Sequence, residues 1–184
     1  MRKILLTSAG FENKAIEKIF LELVRRKPEE IKALFIPTAA VFPDAIAVLP
    51  KCMDDLLNAG VLPKNITVFD LHCGMSYEEL SKFDTVYFCG GDPQYLLNRI
   101  NDTNFNITLE QFADNGGVYV GVSAGSIVTA QDLPDNLGYI NCTLSVHVSE
   151  GSKSGMIDTS SCPHIKLTND QAILIDGDEC SIVE

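Results

Sequence analysis

The chain has no tryptophan, only three histidines, and 14 lysines and arginines against 25 aspartates and glutamates. Each scarcity argues against something. Phosphate binding needs a basic face, and with a formal net charge of −11 a nucleic-acid partner is not expected. No apolar run approaches the length of a membrane span, so no membrane insertion is expected. The cysteines (Cys52, Cys73, Cys89, Cys142, Cys162 and Cys180) are scattered, form no C-x-x-C pair and are not spaced with histidine as a metal-ligand set. They read as reduced thiols, several of them buried as small apolar residues. The amino-terminal MRKILLTSAGFENK starts basic but lacks the apolar core of a signal peptide, and Glu12 arrives early. It reads as the first strand of a cytoplasmic protein. Linkers, repeats and low-complexity segments are absent too, so a single domain is expected over residues 1–184.

What the chain does have is alternation. Apolar runs at 3–8, 33–36, 66–71, 85–89 and 118–122 read as strands. Between them apolar residues recur at helical spacing: Ile16, Ile19, Phe20, Leu23 and Val24 before Pro28, then a region from Asp44 to Asn58 broken or kinked at Pro50. Ser76-Tyr77-Glu78-Glu79 is a capping-box pattern that opens a short helix. Two further helical stretches surround Leu96–Ile100 and Leu109–Ala113. Continuous apolar strands separated by helices predict an α/β fold with a mostly parallel sheet covered on both faces. The pattern changes after Ala130. A strand is expected over Tyr139–Val146, then a Ser/Gly-rich loop. Short strands follow at 165–167, 172–175 and 181–183, the last two joined by a turn at Asp176-Gly177 as a terminal β-hairpin.

Gly121-Val122-Ser123-Ala124-Gly125 fits G-x-S-x-G, follows a predicted strand and precedes a predicted short helix over 124–129. That context is a nucleophile elbow, in which a tight bend between small residues exposes a serine at the carboxyl edge of the sheet. The bland alternative is a packed strand-to-helix turn whose glycines only allow close approach. A serine hydroxyl needs a base, and the choices are His72, His147 and His164.

The elbow, together with Phe88-Cys89-Gly90-Gly91-Asp92-Pro93-Gln94-Tyr95-Leu96-Leu97 after the preceding strand, resembles the peptidase S51 family. That family includes the aspartyl dipeptidase called peptidase E, with cyanophycinase among its relatives. The resemblance extends from Met1 to near the carboxyl terminus. It implies a three-layer α/β sandwich of the class I glutamine amidotransferase type. Ser123 takes the place of the nucleophile. The family histidine ends a strand after the elbow, which matches Leu144-Ser145-Val146-His147 and makes His147 the base, with His164 the competing choice. The family acid lies between serine and histidine, where Asp132 and Asp135 stand, Asp132 being preferred. Either could instead be a turn residue.

The implied chemistry is acyl transfer to Ser123 in a Ser-His-Asp triad, with the N–H groups of Gly91 and Ala124 as oxyanion hole and with no metal or cofactor. The implied substrates are small peptides, including dipeptides with amino-terminal aspartate. Arg99, Lys153 and Lys166 are the cations considered for that carboxylate. Two alternatives stay open. An α/β-hydrolase esterase shares the elbow and the order of its triad, though its histidine usually falls late in a longer chain. A family member without activity could bind a small metabolite or a protein partner. Oligomeric state is left undefined.

Overall fold

Successive residues of each central strand serve opposite faces, and this alternation organises the computed structural model, which describes residues 1–184. The parallel strands are β1 (Lys3–Thr7), β2 (Ala33–Ile36), β3 (Ile66–Val68), β4 (Thr85–Phe88) and β5 (Val118–Val122). Ile4, Leu6, Leu34, Ile36, Val86, Phe88 and Tyr119 enter one core. Leu5, Ala33, Phe35, Tyr87, Val118, Val120 and Val122 enter the other. A strand buried on both faces takes apolar residues at nearly every position, which is why the central segments read as runs without period-two polarity. The hydroxyls of the buried Thr7 and Thr85 donate to Gly121 O and Val118 O.

The helices are α1 (Lys14–Val24), α2 (Pro43–Ala47), α3 (Leu49–Asn58), α4 (Tyr77–Leu80), α5 (Pro93–Asp102), α6 (Phe105–Asp114) and α7 (Ala124–Ile127). Ile16, Phe20 and Leu23 of α1 and Leu56 of α3 close one core. Leu96, Leu97 and Ile100 of α5 with Leu109 and Phe112 of α6 close the other. The result is helix, sheet, helix. Asn13 caps α1 by accepting from Ile16 N–H, and Ser76 with Glu79 forms the expected capping box on α4.

The remaining strands are β6 (Thr143–Ser145), β7 (Gly155–Met156), β8 (His164–Lys166), β9 (Ala172–Asp176) and β10 (Glu179–Val183). The main sheet runs β3-β2-β4-β5-β1-β9-β10-β7, parallel from β3 to β1 and antiparallel beyond. β9 and β10 form the predicted hairpin. β6 and β8 pair separately, in parallel.

Several boundaries differ from expectation. Arg25 in the left-handed region ends α1, its N–H bonding Leu21 O, and Pro28 instead opens a 3-10 turn over Pro28–Glu30. The helical region at 43–58 breaks at Val48, so that Pro50 sits in the first turn of α3, where no N–H is needed. The expected strand over Tyr139–Val146 shrinks to β6. Its first half is wound onto the end of α7: Tyr139 N and Ile140 N donate to Thr129 O, and Gln131 N donates to Cys142 O. Backbone groups satisfied that way are not free to form a ladder. β7 was not expected at all.

Candidate active site

The carboxyl ends of β1, β4 and β5 meet at one edge of the sheet, where open α/β folds carry their sites. Ser123 follows β5 with φ 50° and ψ −102°. A non-glycine residue there is strained and must be held by its surroundings. Ser123 N–H donates to Thr7 O at 3.0 Å. The Ser126 hydroxyl reaches Thr7 O at 2.8 Å and Gly121 O at 2.9 Å. Tyr119 OH donates to Gly125 O at 2.7 Å. These bonds clamp both sides of the bend.

The two elbow glycines are there for space. A Cβ on Gly121 would stand 2.4 Å from Gly125 O, and one on Gly125 would stand 2.7 Å from Phe88 Cβ. The packed-turn reading therefore accounts for the glycines. It does not account for a strained serine with its hydroxyl on a histidine.

Ser123 Oγ lies 3.0 Å from His147 Nε2. His147 Nδ1 lies 2.9 Å from Asn169 Oδ1. An amide oxygen only accepts, so this contact requires the proton on Nδ1 and leaves the Nε2 lone pair facing the serine. The fully buried Ser8, just past β1, accepts from His147 N–H at 2.7 Å. His147 itself has φ 57°.

The chain brings His147 and Asn169 together by strapping two segments. Leu167 N donates to Ser145 O at 2.8 Å and Val148 N to Leu167 O at 3.3 Å. Asn169 then precedes β9. Because β9 runs antiparallel to β1, with Ala172 opposite Thr7, the residues before β9 emerge at the edge where β1 and β5 end.

The expected acids are elsewhere. Asp132 Oδ2 accepts from Leu144 N at 2.8 Å and fixes the loop to β6. Asp135 sits at φ 56°, and its carbonyl accepts from Asn101 Nδ2 at 3.0 Å. Both are turn residues, and an amide occupies the position foreseen for a carboxylate. The other histidines are likewise engaged. His164 meets the hydroxyls of Thr143 at 2.8 Å and Ser145 at 3.1 Å. His72 pairs with Asp70 at 2.9 Å.

On the facing side, Gly91 has φ 142°, and a Cβ there would stand 2.0 Å from Ala39 O. Only glycine fits. A Cβ on Gly90 would come within 3.3 Å of Ser123 Cβ. Gly91 N–H donates to no group of the protein. Ala124 opens α7, so its N–H has no partner within the helix. Asp92 is the side-chain cap of α5, accepting from Tyr95 N at 2.9 Å, with Pro93 behind it.

A cleft of about 320 Å³ spreads from Ser123 and His147 across Gly90 and Gly91 toward α3. Its far wall includes Glu12 and Lys51, which are ion-paired to each other. Arg99, Lys153 and Lys166 are not part of this wall. Arg99 is spent on the carbonyls of Leu71 and His72. Asn169, Ser8, Glu12 and Lys51 all escaped sequence reading. For Asn169 the available signal was its place just ahead of a strand that pairs antiparallel with β1.

Such an α/β sandwich carries a strained serine, its hydroxyl on a histidine, at the carboxyl edge of the sheet. The fold is of the class I glutamine amidotransferase type, and a crystal structure of a protein named as a candidate peptidase E from Listeria monocytogenes EGD-e superposes with TM-score 0.78 at 20% identity, covering 100% of this chain and 98% of that one. A peptidase from an acI-B1 actinobacterium superposes with TM-score 0.66 at 18% identity, covering 100% and 87%. The profile of peptidase family S51 matches residues 4–172, and the chain belongs to that family. An uncharacterized peptidase of Listeria monocytogenes (strain EGD-e) is 27% identical over 139 residues, 73% of this chain and 65% of its own length. Another, from Pasteurella multocida (strain Pm70), is 23% identical over 99 residues, 54% of this chain and 48% of its own length. The chain thus aligns with less than two thirds of either relative.

Proposed function

We propose that this protein is a serine peptidase that cleaves small peptides through an acyl-enzyme on Ser123. The observation that carries the reading is the 3.0 Å contact between Ser123 Oγ and His147 Nε2, made by a serine held at strained backbone angles. As Oγ attacks the scissile carbonyl carbon, Nε2 takes its proton. The carbonyl oxygen becomes an oxyanion, and the N–H groups of Gly91 and Ala124 receive it. His147 returns the proton to the departing amine, and water then repeats the sequence to release the acid.

Asn169 orients the imidazole through Nδ1 as a triad carboxylate would. It lacks the negative charge that stabilises the imidazolium, so it supplies geometry without that electrostatic share. Serine, histidine and asparagine here parallel the cysteine-histidine-asparagine arrangement known on other folds.

The cleft volume suits a ligand of dipeptide size. We assign Lys51 to the side-chain carboxylate of an amino-terminal aspartate and Glu12 to its free ammonium. Both charges stand on the cleft wall, and the substrate would replace each one's present partner with another of the same sign. Steady-state cleavage of Asp-Leu, Asn-Leu and N-acetyl-Asp-Leu tests this. Asp-Leu is expected to be the best substrate, and Lys51→Met to raise its KM by about tenfold, the worth of one charge-assisted hydrogen bond. Equal turnover of all three would reject the specificity. Turnover of simple esters with no peptide cleavage would favour an esterase.

A further inference from the structure

The serine that anchors the base also has a hydrogen of its own to place. Ser8 is fully buried just past the end of β1. Its oxygen accepts from His147 N–H at 2.7 Å. Its O–H has two neighbours able to accept, Asn169 Oδ1 at 3.4 Å and His147 Nδ1 at 3.5 Å. Those two atoms meet each other at 2.9 Å. Ser8 therefore touches both members of the contact that orients the ring.

An asparagine leaves that contact two arrangements. With Oδ1 toward the ring, Nδ1 holds the proton and Nε2 presents its lone pair to Ser123. With the amide turned over, an N–H of Nδ2 faces Nδ1, which must then be the bare nitrogen. The ring proton sits on Nε2, and the imidazole cannot take another from Ser123. A carboxylate offers no such choice, because both of its oxygens accept. Asn169 is exposed, and the two ends of its amide are nearly equal in size, so packing alone does not choose between them.

The Ser8 O–H distinguishes the arrangements by lone pairs. An amide oxygen has two, and it receives both Nδ1–H and Ser8 O–H. A bare Nδ1 has only one, and in the turned arrangement the closer Nδ2 takes it. The hydrogen of the fully buried Ser8 is then left without an acceptor. An unpaired buried donor disfavours that arrangement by about ten- to a hundredfold.

We infer that Ser8 is a positioning residue: its O–H holds the Asn169 amide with the oxygen toward the imidazole, and so selects the tautomer in which His147 can accept a proton from Ser123. The choice of tautomer stands whether or not Ser123 is a nucleophile, whereas its effect on rate rests on the proposed reaction.

The test uses the full chain with isotope-labelled histidine, and reads the protonated ring nitrogen of His147 by two-bond nitrogen–proton NMR where the imidazole is neutral. The wild type is expected to show the Nδ1–H form alone. Ser8→Ala is expected to show the Nε2–H form in a large share of the molecules. In Asn169→Asp, which has no amide to turn, the Nδ1–H form is expected with or without the Ser8 hydroxyl. Labelling of Ser123 by a fluorophosphonate supplies the rate. Ser8→Ala is expected to slow it about tenfold in the wild type, the worth of one neutral hydrogen bond, and less than about twofold in Asn169→Asp. Equal slowing in the two backgrounds would reduce Ser8 to an anchor for His147 N–H and overturn the inference, as would an unchanged tautomer in Ser8→Ala. A tautomer that switches in a protein that never labels would uphold the role of Ser8 and reject that of Ser123.

Discussion

The elbow and the base are built by different means. Around Ser123 the geometry is imposed by backbone packing: glycines that admit no Cβ, a helix beginning at once, and main-chain bonds to β1. Around His147 it is imposed by side chains on loops: Ser8 holding the backbone, Asn169 holding the ring, and two strapped segments that contribute one residue each. The first construction should be rigid and intolerant of added volume. The second should be adjustable, and it should answer to changes of charge more than of size.

The largest effect separates the reacting pair from everything that supports it. Ser123→Ala is expected to abolish peptide turnover, by about a millionfold in kcat as in other serine hydrolases stripped of the nucleophile, and His147→Ala to come close to it. Both should leave the thermal midpoint nearly unchanged, because neither side chain fills a core.

On the base side, Asn169→Ala is expected to lower kcat by about a hundredfold, less than the ten-thousandfold or so that follows when a triad carboxylate is replaced. Asn169→Asp sharpens the comparison. A carboxylate at 2.9 Å from Nδ1 would favour the imidazolium. The acid limb of the kcat/KM profile should therefore move to higher pH. A profile that stayed in place would show that residue 169 does not face the ring in solution.

On the elbow side, Gly121→Ala places a methyl 2.4 Å from a backbone oxygen. It is expected to destabilise the protein by about 3 kcal/mol in denaturant melts. A protein that accepted the methyl with full stability would remove the case for a rigid elbow.

The difference between the regions also explains what the sequence could reveal. The elbow was legible because packing acts locally. Gly121, Ser123 and Gly125 are neighbours in the chain, and the strand before them needs apolar residues at every position. The Gly90-Gly91 loop was legible for the same reason. His147 could be placed only through a family pattern. The orienting group could not be placed at all, since Asn169 reaches the ring through the direction of β9 and a contact that spans 22 residues. Asp132 looked suitable by position alone. Its carboxylate is taken by Leu144 N–H, a loop-fixing use that no local pattern announces. Lys51 and Glu12 meet only because α3 packs beside the end of β1.

The smallest expected effect lies beneath the cleft. Asp55 accepts from Phe11 N–H at 2.9 Å and from Tyr87 OH, tying α3 to the loop that carries Glu12. Burial raises its carboxyl above the usual range despite those bonds. A raised value in the folded state means the native protein binds this proton more tightly than the unfolded chain. The corresponding stability is present below the unfolded carboxylate range and declines as pH rises through the folded value. Asp55→Asn keeps an acceptor and removes the titration, so this decline should flatten in melts taken across the mildly acidic range. An unchanged slope would place the origin elsewhere.

The most direct test is to react the protein with a fluorophosphonate and locate the adduct by peptide mapping, in the wild type and in His147→Ala. The account predicts a single adduct on Ser123 whose formation slows by several orders of magnitude without the imidazole. An adduct on another residue, or one that forms on Ser123 at the same rate in both proteins, would contradict it.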